Sequence, residues 1–282
     1  MRLSRGTRIF LRVGVGLALA FIYVPLVVIA IYAFNPEITT SWPPEGLTLD
    51  WFGKAIDNPG ARDAFLYSLR AGALATVIAL FLGTLASMAV ARYRFFGRET
   101  ISFLVILPIA LPGIVTGIAL NSTFTQFLGI DLGLFTIVVG HATFCIVVVY
   151  NNVIARLRRL SGSFEEASAD LGASPWQTFR LVTLPNMRTA LVAGALLAFA
   201  LSFDEIIVTT FTIGTGDETL PIWIFNNISR PNQLPIINVV AVLVILISII
   251  PVYFAHRLTR DEGSGGAAGA GSAVAAEATV AP

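Results

Sequence analysis

The sequence predicts an all-α integral membrane protein with six transmembrane helices, and three observations carry that prediction. Hydrophobic residues make up 56% of the 282-residue chain and charged residues only 12%, with a mean hydropathy of +0.80, far from soluble usage. Six runs are long and apolar enough to span a bilayer, roughly 13–34, 68–91, 101–124, 134–154, 187–212 and 236–255, where a spanning helix takes about 20 residues. Basic residues gather on one side of those runs. The runs are read as helices because hydrocarbon cannot satisfy an open backbone, whereas a helix pairs its own N–H and C=O groups.

The first run is longer than a signal-peptide core and no small-x-small cleavage site follows it, so it is expected to remain as an anchor. Arg2, Arg5, Arg8 and Arg12 precede it. Arg92, Arg94 and Arg98 join runs two and three, Arg156, Arg158, Arg159, Arg180 and Arg188 lie between four and five, and Arg257 and Arg260 follow six. These are fourteen of the 18 Lys and Arg residues. Only Lys54, Arg62, Arg70 and Arg230 lie on the other side. Short cytoplasmic loops are enriched in Lys and Arg, so both termini are expected in the cytoplasm. The chain then divides into a cytoplasmic N-terminus (1–12), a six-helix membrane domain (13–260) and a tail (261–282). From Gly263 the tail is Gly, Ala, Ser and Val with almost no charge, a composition expected to be disordered. The external loops, 35–67 and 213–235, carry Trp42, Trp51 and Trp223. Singly, each tryptophan suits the headgroup layer; together the loops offer a landing surface for an external partner.

Between runs four and five lies a connection of about thirty residues, 156–186, long for a compact membrane domain. Ser163 is an expected N-cap, with Glu165 and Glu166 in the first turn where the helix dipole favours acids. Ala167 and Leu171 form an i, i+4 pair, while Ala169 and Gly172 leave a small face for another backbone. Ser174-Pro175 restarts the chain with proline at a first helical turn. Trp176, Phe179 and Leu184 add apolar contacts, and Pro185 is expected to end the segment. Two short helices lying on the cytoplasmic face result, presenting acids and a small groove as a docking surface.

Glu166-Ala167-Ser168-Ala169-Asp170-Leu171-Gly172, nine residues, and then Val182-Thr183-Leu184-Pro185 resembles the EAA motif of permease subunits of ABC-type importers. Ser168 stands where the motif usually has a second alanine. The resemblance implies a type I ABC importer permease fold in which Glu165, Glu166, Ala167, Ser168, Asp170, Gly172, Leu184 and Pro185 seat in a cleft of an ATP-hydrolysing subunit. It extends over nearly the whole chain. Pro43-Pro44, Gly46-Leu47-Thr48-Leu49, Trp51-Phe52, Leu107-Pro108, Leu111-Pro112-Gly113-Ile114-Val115-Thr116-Gly117, Gly140-His141-Ala142-Thr143-Phe144 and Ser202-Phe203-Asp204-Glu205 are similar to the second permease of the spermidine/putrescine branch. Thiamine, iron and phosphonate permeases are neighbours of that branch. What the resemblance implies is an inner-membrane subunit of a bacterial importer that pairs with a homologous permease, two ATPase subunits and an external binding protein. ATP and magnesium would belong to the ATPase subunits, with no cofactor or metal on this chain and no nucleic acid as partner.

Asp204 and Glu205 are the candidate substrate carboxylates. An ionisable group at mid-span costs about 2.5–3.5 kcal/mol on insertion scales and so turns to protein or water. At about 1.5 Å per residue from Met187, Asp204 would lie some 26 Å along helix five, in the outer third. A carboxylate there could receive a protonated amine, or could pair with Arg70 or Arg230. Adjacent helical residues diverge by about 100°, so only one would face a pore. Pro108 and Pro112 each remove a backbone donor, freeing the carbonyls of Leu104 and Pro108; such carbonyls line cavities in transporters. Gly113 and Gly117 form a small-xxx-small face for close packing. His141 is expected to bond a neighbouring helix, and Asn151 and Asn152 to act as interhelical glue. Cys145, alone of its kind, allows no internal disulfide. No Gly-x-x-x-x-Gly-Lys-Ser/Thr loop, zinc-spaced set or serine elbow occurs in the sequence, which argues against an enzyme. A stand-alone secondary carrier would show an inverted repeat, and none is evident.

Overall fold

A computed structural model describes residues 4–39, 41–253 and 257. The expected disordered tail, with Arg2 and Arg260, lies outside the described residues. The regular elements described are helices: α1 (Arg5–Ala33), α2 (Asp50–Ile56), α3 (Pro59–Arg92), α4 (Arg98–Ala110), α5 (Gly113–Ser122), α6 (Leu134–Arg159), α7 (Ser163–Asp170), α8 (Pro175–Thr178), α9 (Leu184–Phe203), α10 (Ile207–Thr212), α11 (Leu220–Asn227) and α12 (Pro231–Tyr253). Five stretches are each long and apolar enough to cross a membrane: α1, α3, α6, Pro175–Phe203 and α12. The sixth is a bent pair, Arg98–Ala110 with Gly113–Phe127, whose axes turn by 102°.

That bend corrects the third expected span, 101–124, which is two helices rather than one kinked helix. Pro112 is the cause. The residue before a proline is pushed out of the helical region, and Leu111 is extended at φ −82°, ψ 142°. Pro112 then caps α5, its carbonyl accepting from Val115 N and Thr116 N. Pro108, by contrast, stays inside α4. The fifth span is also corrected. It begins earlier than 187, ends at Phe203, and is followed by a separate short α10.

Two compact units make up the chain. The first comprises Met1–Asp63 and Trp223–Ser248. Its helix α1 is apolar all round and exposed along nearly its whole length, with Ala33 as its one buried residue, the pattern of a helix meant for an apolar medium. Trp51, read singly as a headgroup anchor, instead donates from Nε1 to the Asn35 carbonyl at 2.9 Å. Lys54 Nζ lies 4.1 Å from the Trp51 ring centre and the Phe34 and Phe52 rings are 5.0 Å apart. The loop after α1 is thereby fastened to α2.

The second unit comprises Ala64–Ile222 and Ile249–Pro282, and α6 is its axis. Cys145, Val149 and Val153 of α6 pack with Ala79 of α3 and with Met187 and Ala198 of α9. Small residues permit that approach. A methyl group on Gly83 would lie 3.0 Å from the Ile146 carbonyl oxygen, and one on Gly194 would lie 3.4 Å from Val149 Cα. Between helices in lipid, such close packing replaces the hydrophobic drive that water would supply. Asn152 does not glue helices, since its amide donates to Val148 O of its own helix; Arg156 Nε bridges instead, to Asn186 O at 2.9 Å.

Candidate functional site

In the 163–185 loop, the N-cap of α7 is Gly162, not Ser163, whose backbone N–H donates to Ser161 Oγ at 3.3 Å. The helix ends in a paired-bond stop. Gly172 N donates to Ala169 O at 2.9 Å and Ala173 N to Ser168 O at 3.1 Å, with Gly172 at φ +82°. This is the left-handed cap that glycine adopts without steric cost. The structure thus gives Gly172 a backbone role; among the described residues, its chain neighbours aside, nothing comes within 4 Å of where its Cβ would be. Ser174 caps α8 with Pro175 at its first position, and Gln177 returns a bond to Ser174 N at 2.8 Å. Ser168 Oγ lies 3.0 Å from Thr178 Oγ1, joining the two short helices.

Pro185 does not end the segment. α8 passes through a π-turn, Phe179–Thr183, directly into α9. Leu184 N reaches back to Phe179 O, and proline cannot make the ordinary helical bond one residue later. The acids divide. Glu165 is only partly exposed and tied inward: its Oε1 lies 3.0 Å from Arg92 Nη2 and accepts from Thr183 Oγ1 at 2.9 Å. Glu166, Ala167 and Asp170 are exposed, as are Phe164, Leu171, Trp176 and Leu181, with Leu171 at 89%. Clustered exposed apolar side chains rimmed by acids mark an interaction surface.

The second group lies where α9 stops. Asp204 and Glu205 occupy the break between α9 and α10, so the 100° divergence expected of neighbouring helical residues does not apply. Glu205 Oε1 accepts from Val208 N at 2.9 Å, capping α10. The Asp204 carboxylate is exposed and has no ion-pair or hydrogen-bond partner among the described residues. Of the expected alternative partners, Arg230 donates to Asn227 Oδ1. The Pro112 break is next to this one, because a methyl on Gly113 would lie 3.5 Å from Ile207 Cγ2. Pro108, one helix turn earlier, lies within α4.

His141 is 1% exposed, with Nδ1 2.7 Å from Ser202 Oγ and Nε2 2.8 Å from Thr209 Oγ1. Thr209 Oγ1 directs its single hydrogen to Glu205 O at 2.7 Å. Toward the imidazole it can therefore only accept, so Nε2 carries the ring proton and Nδ1 accepts from Ser202. Sequence reasoning anticipated a bond from His141 but neither of its partners, and it missed Arg92 as the partner of Glu165. These pairs join residues 61 to 73 positions apart, and no local pattern encodes them.

Residues 79–261 match the family model described as the inner membrane component of binding-protein-dependent transport systems. The chain is 35% identical over 256 residues to the putrescine transport system permease protein PotI of Escherichia coli K12, spanning 87% of this chain and 90% of the relative. It is 31% identical over 247 residues to the spermidine/putrescine transport system permease protein PotC of the same organism, spanning 87% and 92%. Among solved structures, one chain of a bacterial ABC transporter involved in the import of alginate superposes with a TM-score of 0.66 at 18% identity, covering 93% of this chain and 99% of that one. Helical spans, the bent pair, the motif loop and this similarity converge: the chain belongs to the inner-membrane permease components of binding-protein-dependent ABC importers.

Proposed function

We propose that this permease carries polyamines, putrescine or spermidine, delivered by an external binding protein. The observation that carries the proposal is the exposed Asp204 carboxylate at a helix break, without an ion-pair or hydrogen-bond partner among the described residues. A protonated amine would meet it through a charge-assisted hydrogen bond. The names of the relatives point to the same cargo. Both termini face the cytoplasm in this reading, as the distribution of arginines favours. A homologous permease completes the pathway, and two ATPase subunits receive the exposed face of α7 and α8. Access alternates as the ATPase dimer closes and opens, with the 163–185 loop passing the motion to α9.

Uptake of radiolabelled putrescine and spermidine tests the cargo in cells lacking other polyamine systems, with this subunit intact, deleted or carrying Asp204→Asn. Deletion is expected to abolish uptake. Asp204→Asn is expected to lower it about tenfold with the complex still assembled, the scale of one charged hydrogen bond. Unchanged uptake on deletion would remove polyamines as cargo, and unchanged uptake in the Asn variant would make Asp204 structural.

The Arg92–Glu165 pair makes a separate prediction. As a partly exposed ion pair it adds only about 0–1 kcal/mol of stability, so its value lies in fixing α7 against the end of α3. Glu165→Gln is expected to lower uptake a few-fold, roughly the scale of such a pair, without loss of bound ATPase. The double exchange Arg92→Glu with Glu165→Arg should recover part of it. An exchange no better than either single variant would show that the pair transmits nothing.

A further inference from the structure

We infer that His141 is a positioning residue that staples the two helices flanking the Asp204–Glu205 turn and so fixes where the Asp204 carboxylate is presented. The inference rests on the reading of Asp204 as the carboxylate that meets the substrate. One imidazole bonds both sides of the break: Ser202 in the last turn of α9 at 2.7 Å, and Thr209 in the first turn of α10 at 2.8 Å. All three side chains are buried, His141 at 1%, Ser202 at 3% and Thr209 at 0% exposed.

From Thr209 the chain of bonds continues into the turn itself. Its hydroxyl holds the Glu205 carbonyl at 2.7 Å, and the Glu205 carboxylate in turn holds Val208 N at 2.9 Å. The far end of α10 is fixed independently. Asn121 Nδ2 donates to Phe211 O at 2.7 Å and Thr136 Oγ1 to Thr212 O at 2.6 Å. With that end anchored and α9 continuous below, the three residues 204–206 are the joint between the two helices, and His141 spans it. An apolar ring of similar size would fill the space but leave Ser202 without its acceptor and Thr209 without its donor, both in a buried setting where unpaired polar groups are costly. A glutamine can place its amide N–H near the position of Nε2 and so keep the Thr209 arm, the arm that reaches the turn.

The test uses the complete complex in proteoliposomes with saturating putrescine-loaded binding protein, reading uptake and ATP hydrolysis together. His141→Phe is expected to lower putrescine moved per ATP about tenfold, the scale of one buried hydrogen bond, with ATP hydrolysis and the amount of assembled complex retained. His141→Gln is expected to restore the ratio to within about threefold of the parent, on the same scale. A purely architectural histidine would lower assembly, uptake and hydrolysis in parallel and leave the ratio unchanged; that result overturns the inference. A second readout does not depend on transport. In a Cys145→Ser background, the rate at which an impermeant maleimide labels Asp204→Cys is expected to change at least about fivefold when His141→Phe is added, again on that scale. An unchanged rate overturns the staple even if Asp204→Asn impairs uptake. A changed rate together with normal uptake by Asp204→Asn supports the staple and rejects the reading of Asp204 alone.

Discussion

Gly172→Asp is expected to abolish uptake and to strip the ATPase from purified complexes while the chain remains inserted. Two effects combine. The position lies at φ +82° as the left-handed cap of α7, where an L side chain costs roughly 1–2 kcal/mol and Asp or Asn somewhat less. A carboxylate there also stands at the negative end of the helix dipole and beside the exposed Asp170. A set of three replacements separates these causes. Gly172→Ala brings the backbone cost alone, and Gly172→Asn brings bulk without charge in a residue that tolerates the left-handed region. Gly172→Asp adds the charge. The order of residual uptake should be Asn above Ala, with Asp lowest. Normal assembly and uptake in the Asp variant would sink the role assigned to this loop.

Gly117→Val is expected to destabilise the protein measurably and lower its melting temperature. A Cβ at this position would come 2.6 Å from Phe211 Cδ2 and 3.2 Å from both Cβ and Cγ. Turning the Phe211 ring relieves the first contact but not the others, so α10 itself has to move away from α5. That movement breaks the Asn121 to Phe211 O bond one turn along the same face. Overpacking of this kind costs about 1–3 kcal/mol, enough for a fall in Tm of roughly 3–10 °C in a domain of this size. Gly117→Ala should show a smaller fall in the same assay. A valine variant that melts and transports like the parent would mean that α5 and α10 are not held at this distance in the working complex.

The legible part of this fold was whatever repeats along the chain. Apolar runs announced the spans, and Ser174-Pro175 announced a helix start that the structure shows fully capped. Gly113 and Gly117 announced the close face that meets Ile207 and Phe211. Legibility failed where one residue overrides a periodic pattern. Hydropathy does not register that Pro112 forces Leu111 into an extended conformation, so run three read as one helix. The apolar residues after Asp204 continued run five although the backbone had already turned. In the candidate site, the motif named the loop but could not sort its acids. Glu165 and Glu166 are neighbours of the same type, and only the approach of Arg92 from another helix separates the tethered one from the exposed one.

The π-turn at Phe179–Thr183 gives the fixed interval between Gly172 and Val182 a mechanical meaning. A π-turn holds one residue more than an α-turn, and each residue of an α-helix advances the phase by about 100°. Removing a single residue from this stretch would shorten the turn to the α-helical count and rotate everything ahead of it by about 100°. α8 would then aim Trp176 and the cap region in a different direction. The segment is in this sense a phase-setting gear: its residues can be exchanged, but its tooth count cannot.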